Sequence, residues 1–221
     1  MIAAAEASGA RYVNMDNLYS YEASGGRPIT ESNPAAPNSR KGAVRARMED
    51  QLWAAHAAGR IKVASGRASD DYGPGSGQST PMGDRVFLPA IAGARVRLLG
   101  NPDLVHSYTF LPDIGEALAE LGRHPDALGS TWHLPNDPVP QTSRAMAEAV
   151  FRLAGRSPRI SGTPTLALRL LGLADPTVRE LVEMQYEFTE PFVVDSSRIV
   201  ALGLRATPIG ETLEVTYASY R

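Results

Sequence analysis

The chain has 221 residues, 43% of them hydrophobic and 21% charged, with a formal net charge of −2. That length and composition suit a folded protein with a proper core, and the near-zero charge provides no global field to recruit nucleic acid or an anionic membrane. The sequence has no cysteine, which excludes disulfides, thiolate nucleophiles and thiolate metal sites together and fits a reducing compartment.

In chain order, Ile2 to Gly9 reads as the tail of a helix closed by glycine, and Arg11-Tyr-Val-Asn-Met-Asp16 reads as a strand. Residues 17–38 are rich in Gly, Pro, Ser and Asn and form a long loop, a length that inside a compact domain serves function or mobility. Ser39 or Asn38 caps a helix over residues 40–58, in which Val44, Met48, Leu52 and Ala55 recur at helical steps and mark the face expected to be buried. Lys41, Arg45 and Glu49 form a stripe on the opposing face. Gly59 stops the helix and Ile61 to Ser65 forms a second strand, so the strand, loop, helix, strand unit is expected to be parallel and right-handed.

This second strand runs into Gly66-Arg-Ala-Ser-Asp-Asp-Tyr-Gly-Pro-Gly75. In open parallel sheets the ligand crevice lies beyond the carboxyl ends of the strands, so Arg67, Ser69, Asp70, Asp71 and Tyr72 are site candidates by position, against the alternative of a solvated turn. Further on, Arg85 to Ala92 suits a helix interrupted by Pro89, Arg95 to Leu99 a short strand, and His106 to Leu111 another strand. Asp113-Ile-Gly-Glu116 has capping-box spacing and is expected to open a helix ending at Gly122, followed by a strand over Thr131 to Leu134. The last third reads as mostly helical: 143–154, 166–171, a helix opened by Asp175-Pro176 that runs through Tyr186, 197–202, and one through Leu213 and Tyr217.

Four histidines (His56, His106, His124 and His133) lie far apart without ligand-like spacing, so no metal site is expected. No apolar run approaches membrane-spanning length, and the start lacks the basic and apolar regions of a signal peptide. A cytoplasmic protein is expected.

The order of elements resembles the extended short-chain dehydrogenase/reductase family, the NAD-dependent epimerase/dehydratase group. Four stretches carry the resemblance: Tyr12 to Tyr21, the helix with Lys41, Arg45 and Glu49, the turn Gly66 to Pro74, and Ser107-Tyr-Thr-Phe-Leu-Pro-Asp113. Gly100-Asn-Pro-Asp103 is similar to a further turn of the family. The resemblance implies an α/β fold, a partial Rossmann-like parallel sheet in residues 1–80 with a mostly helical substrate-binding subdomain in residues 81–221, some of whose segments return to the sheet. It implies NAD or NADP as cofactor and a small-molecule substrate.

Two departures qualify these implications. The family's Gly-x-x-Gly-x-x-Gly loop, whose glycines admit a pyrophosphate to a helix N-terminus, is not in the sequence. The catalytic Tyr-x-x-x-Lys of the family aligns with Lys41-Gly-Ala-Val-Arg45. A neutral lysine at 41 is able to act as a base in a changed mechanism, and Arg45 is able to hold a ribose or phosphate; the alternative is two solvated cations on the outer face of a helix. Asn17 aligns with the family's catalytic Ser or Thr and keeps the capacity to hydrogen-bond a carbonyl oxygen. Tyr19 and Tyr21 lie close enough in sequence to supply a displaced phenol, or else pack against the long loop. His106 stands where sugar-nucleotide members carry an arginine, which points away from a diphosphate substrate.

The expected site is therefore Asn17, Lys41 and Arg45 for catalysis, Arg45, Arg67, Ser69 and Tyr72 for cofactor, and Tyr19, Tyr21, Asp71 and His106 for substrate. The expected function is an NAD(P)-dependent epimerase, dehydratase or reductase acting on a hydroxyl or carbonyl of a small molecule. The competing expectations are an inactive NAD(P)-binding or regulatory homologue and an inactive fragment that begins late. An exposed sheet edge would favour oligomerisation or poor solubility.

Overall fold

The computed structural model describes residues 1–164 and 182–221. Helix α1 (Ile2–Ser8) ends at Gly9, whose φ of 66° is the left-handed cap. Strand β1 (Arg11–Asp16) follows and pairs in parallel with β2 (Lys62–Arg67), Arg11 opposite Lys62 and Asp16 opposite Arg67. Helix α2 (Arg40–Ala57) lies between them in sequence, capped by the Ser39 side chain accepting from the Gly42 N–H. The expected parallel unit is present, with β2 extended to include Arg67. A third strand, β7 (Thr131–His133), pairs in parallel with the end of β2, giving the order β1-β2-β7.

Apolar residues bury both faces of this sheet. Leu52 and Ala55 of α2 pack with Ala5, Ile61 and Val63 on one face. On the other, α4 (Leu111–Arg123) sets Ile114, Ala117 and Leu121 against Ala64, Trp132 and Leu134. Short parallel pairs join β3 (Asp70–Tyr72) to β6 (Tyr108–Phe110) and β4 (Val96–Leu99) to β9 (Ile160–Thr163), while β5 (Val105–His106) pairs antiparallel with β8 (Gln141–Thr142). A second core forms around these pairs from α3 (Asp84–Ile91), α5 (Ser143–Leu153) and a C-terminal helix, α7 (Ile209–Ala218), with Phe87, Phe151 and Leu213 inside. Helix α6 (Tyr186–Thr189) is a single turn, and Phe192 and Val194 after it pack on Leu18, Tyr21 and Ile29.

The structure corrects several expectations. Val44 and Met48 of α2 are 47% and 52% exposed, whereas Glu49 is buried. The inward face keeps Leu52 and Ala55 but also takes in an ion pair: the Glu49 carboxylate meets the guanidinium of Arg67, and it also accepts from Trp53 Nε1 at 3.1 Å. Asp113 does not cap its helix, which begins two residues earlier at Leu111. Its carboxylate instead accepts from the N–H and hydroxyl of Thr207, at 2.8 and 2.7 Å, and ties α4 to the approach to α7. The expected strand over 106–111 splits at Ser107 because its halves pair with different partners. The short helix expected at 197–202 is present as a 3-10 helix, and β9 occupies a stretch between two expected helices where no element is expected. The expected helix over 166–171 and the start of the one from Asp175 lie outside the described residues; of the latter's stretch, residues 182–183 are helical and Tyr186 opens the separate turn α6.

The buried pair makes a testable demand. Arg67 is 2% exposed, so Glu49→Ala leaves a buried guanidinium without its counter-charge and is expected to lower the free energy of unfolding by about 3–5 kcal/mol in urea melts. The apolar double replacement Glu49→Leu with Arg67→Met is expected to cost far less. A loss below about 1 kcal/mol for the single variant would contradict the role given to the pair.

Candidate functional site

Because β1 and β2 run in parallel, the residues following them leave the sheet on one side. Asn17 and Tyr19 come after β1, Ser69, Asp70 and Asp71 after β2, and together with Thr80 and Glu187 they line a cleft of about 160 Å³. Local hydrogen bonds set the first of these. The Asp16 carboxylate accepts the Asn17 N–H at 2.9 Å, and Asn17 Oδ1 accepts the Tyr19 N–H at 3.1 Å, which leaves the Asn17 amide nitrogen to donate. Arg45 approaches Asp16 at 3.5 Å from α2. The first turn of α2 packs directly on the Tyr19 carbonyl, where a Cβ at Gly42 would collide; glycine is required there by close approach.

Burial dominates the electrostatics of the cleft. It pushes the Tyr19 phenol above its ordinary value of 10.0, with Glu187 and Asp70 adding to the shift and Arg45 opposing it. It also raises Glu187 well above the ordinary 4.5, with Asp70 adding and a hydrogen bond to Tyr186 opposing. Asp71 is raised by burial and then by Asp70. Each shift has the same origin: an anion is poorly solvated here and has anionic neighbours. His106 sits behind Asp70, its Nε2 3.0 Å from the carboxylate and its Nδ1 3.1 Å from the Glu187 carbonyl oxygen. Phe188 and Phe192 stack on its ring, with centroids at 5.2 and 5.0 Å.

Of the residues singled out in the sequence, Asn17, Tyr19, Ser69, Asp70 and Asp71 share the cleft. Ser69 turns its hydroxyl inward, donating to the Ser107 carbonyl at 2.6 Å. Tyr21 is 3% exposed, bonds His133 Nε2 at 3.0 Å, and carries the Arg67 guanidinium 4.1 Å above its ring. Arg67 is thus engaged on both sides, by Tyr21 and Glu49. Tyr72 is 1% exposed and bonds Thr212 inside the second core. Lys41 lines a separate open groove of about 460 Å³ with Arg40, Arg47 and Glu183. Asp16, Thr80 and Glu187 are not singled out by the sequence. Asp16 is legible there as the residue closing a strand, whereas Glu187 lies 116 residues beyond Asp71 and carries no local signal.

A larger cavity of about 500 Å³ opens between residues 135–140 and 193–206. Its wall is mostly apolar, and its polar groups already bond within the chain: Asn136 to Thr109 and Leu134, and Asp137 to the N–H groups of Val139 and Ile209. It lacks the converging titratable groups of the smaller cleft.

A nicotinamide dinucleotide would need a hold on its ribose and a cradle for its pyrophosphate. Arg45, with a side chain 40% exposed, fits the first. For the second, Gly73, Gly75 and Gly77 all have positive φ, but their turn closes on itself. The Gly73 carbonyl accepts from Ser76 and the Gly77 carbonyl from Asp84, and the next helix, α3, begins only at Asp84. The described residues therefore fit the ribose end of such a cofactor and not its pyrophosphate. They contain no group of three or more His, Asp or Glu side chains able to hold a metal ion, and no helix long and apolar enough to cross a membrane.

Glu187 gives a pH test of this geometry. The unfolded chain releases its proton near 4.5 while the folded chain keeps it to higher pH. The unfolded state then binds fewer protons, and stability falls as pH rises from 4.5. Urea melts from about pH 4 to 8 are expected to show the parent losing stability relative to Glu187→Gln by up to about 1.4 kcal/mol per pH unit. Parallel curves for the two proteins would contradict the burial of this carboxyl.

Comparison with known proteins adds three findings. A family model, the NAD dependent epimerase/dehydratase family, matches residues 1–134. No curated protein matches the chain. Among solved structures, the chain is similar to a double mutant of the dTDP-glucose 4,6-dehydratase DesIV from Streptomyces venezuelae with NAD and DAU bound, at 19% identity and a TM-score of 0.77, covering 100% of this chain and 63% of that one. It is similar to epimerase Mth375 from Methanothermobacter thermautotrophicus, at 14% identity and 0.80, covering 99% and 62%. A Thermus thermophilus UDP-glucose 4-epimerase in complex with NAD shares 21% identity at 0.75, covering 100% and 67%. The chain spans less than two thirds of the first two, and at these identities the likeness establishes the Rossmann-like epimerase fold.

Proposed function

The chain belongs to the NAD dependent epimerase/dehydratase family, and on that premise we propose that it carries out nicotinamide-linked chemistry on a hydroxyl or carbonyl group of a small molecule, at the cleft where β1 and β2 end. One observation carries this reading: Asn17 and Tyr19 both line that cleft, with Arg45 held nearby by Asp16.

Bound NAD or NADP supplies the exchange of hydride. The chain's own residues supply orientation and protons. Tyr19 retains its proton at neutral pH and donates it to the substrate oxygen. The amide nitrogen of Asn17 gives a second hydrogen bond to the same oxygen and polarises its bond to carbon. Arg45 offers its guanidinium to the ribose or a phosphate, a planar donor set that stays charged throughout. Because Lys41 lines a different groove, we assign the proton donor to Tyr19 rather than to the lysine at the family's tyrosine position. That substitution also favours a second reading, a homologue that binds NAD(P) without turning it over.

The two readings separate in one set of measurements. Nicotinamide fluorescence is expected to report saturable binding of NADH or NADPH, with Kd raised about tenfold in Arg45→Met. Cofactor oxidation with a panel of small aldehydes and ketones is expected to fall by about 10²–10⁴ in Tyr19→Phe, without a change in cofactor affinity. Binding without turnover would favour the regulatory homologue, and no binding of either cofactor would overturn both.

A further inference from the structure

Of the four histidines, His106 and His133 are buried, and their hydrogen bonds demand different protonation. His133 places Nδ1 2.8 Å from the Asp195 carbonyl oxygen and Nε2 3.0 Å from the Tyr21 hydroxyl. A carbonyl only accepts, so Nδ1 carries the hydrogen, and the hydroxyl donates to Nε2. A neutral ring satisfies both contacts, and burial favours that neutral form. His106 makes the same first contact, with Nδ1 3.1 Å from the Glu187 carbonyl oxygen, but its Nε2 lies 3.0 Å from Asp70 Oδ2. A neutral ring would set a lone pair against an ionised carboxylate, which can only accept. This contact therefore holds a proton that the contacts of His133 do not require. By their ordinary affinities, about 6.5 for an imidazole and about 3.9 for a carboxyl, that proton resides on the ring.

The ring has little freedom to turn from these partners. Phe188 and Phe192 stack on it, their planes within 4° and 24° of its own, and Tyr108 leans on it with centroids 4.5 Å apart. The titratable side chains on the elements around it are Asp70 and Asp71 of β3, Tyr108 of β6, Tyr186 and Glu187 of α6, and Tyr19 after β1. None of these brings positive charge.

Asp70 joins the buried pair to the cleft. It lines the same space as Asn17 and Tyr19, its side chain is 15% exposed, and its charge helps to raise the Tyr19 phenol. A phenol that gives its proton to a substrate oxygen becomes an anion in a cleft that solvates anions poorly, and it has to regain a proton before the next turnover. We propose that Asp70 and His106 form a proton relay to Tyr19. As the Tyr19 O–H bond breaks and the substrate O–H bond forms, the hydrogen on His106 Nε2 passes by way of the Asp70 carboxylate to the Tyr19 oxygen, and the pair then takes a proton from water. Oxidation of an alcohol runs the same steps backwards. Both are positioning residues, acting on the substrate through Tyr19. The relay rests on the assignment of Tyr19 as the proton donor.

Nitrogen NMR of the full chain labelled in its histidine rings reads the pair without any substrate. At about pH 7.5, where an ordinary histidine is about nine-tenths neutral, His106 is expected to carry hydrogen on both ring nitrogens and His133 on Nδ1 alone. Asp70→Asn is expected to return His106 to the neutral ring. Oxidation of NADH or NADPH by the panel of small aldehydes and ketones then reads the relay. Its kcat is expected to fall about tenfold in Asp70→Asn and in His106→Gln, with cofactor Kd unchanged. The parent's kcat is expected to decline as rising pH strips the proton from the pair, and both variants are expected to lack that decline. A neutral His106 in the parent at about pH 7.5, or variants that keep the parent's kcat and pH profile, would overturn the proposal. No turnover by the parent would overturn the relay together with hydride transfer, whereas a neutral His106 beside intact turnover would overturn the relay alone.

Discussion

Helix α2 is fastened to the sheet by the contact of Glu49 with Arg67, a carboxylate and a guanidinium buried together at the carboxyl end of β2. Two opposite charges out of water tolerate little displacement, since losing either leaves the other unsolvated. The pair therefore fixes the rotation of the helix. Arg45, one turn before Glu49 on the same side, is delivered to Asp16 at the end of β1. Gly42, a turn nearer the start, lets the helix backbone close on the Tyr19 carbonyl. Strand ends, helix and the loop containing Tyr19 are thus held together by two polar contacts and one missing side chain.

Desolvation governs the chemistry available there. Tyr19, Asp71 and Glu187 are each held toward their protonated forms by burial first and by neighbouring carboxylates second. A phenol that keeps its proton is suited to donate it. His106, held between aromatic rings and bonded to Asp70, supports the wall from behind.

Much of this fold was legible in the sequence because its central unit uses local signals. Gly9 and Gly59 punctuate helices, Ser39 caps α2, and the two apolar strands on either side of it have the spacing of a parallel crossover. Where reading by periodicity failed, a distant polar partner had overridden it. Val44 and Met48 fit a helical stripe, but Arg67 drew Glu49 inward and turned them to solvent. Asp113 has the spacing of a cap, but Thr207, 94 residues away, claims its carboxylate. The site was legible in part for the same reason. Asp71 comes after a strand and is placed by the rule for parallel sheets, whereas Asn17 and Tyr19 are placed by the family resemblance. Arg67 and Tyr72 satisfy the same rule by position, yet their side chains, like that of Tyr21, bond into the interior, and Glu187 arrives from a helix whose location no local pattern gives.

The most direct test of the account is to map backbone amide shifts of the isotopically labelled chain as NADH is added. The account predicts perturbations concentrated on residues 15–19, on Arg45 and its neighbours in α2, and on 68–71. Shifts confined to the larger cavity between residues 135–140 and 193–206, with the ends of β1 and β2 unaffected, would contradict it.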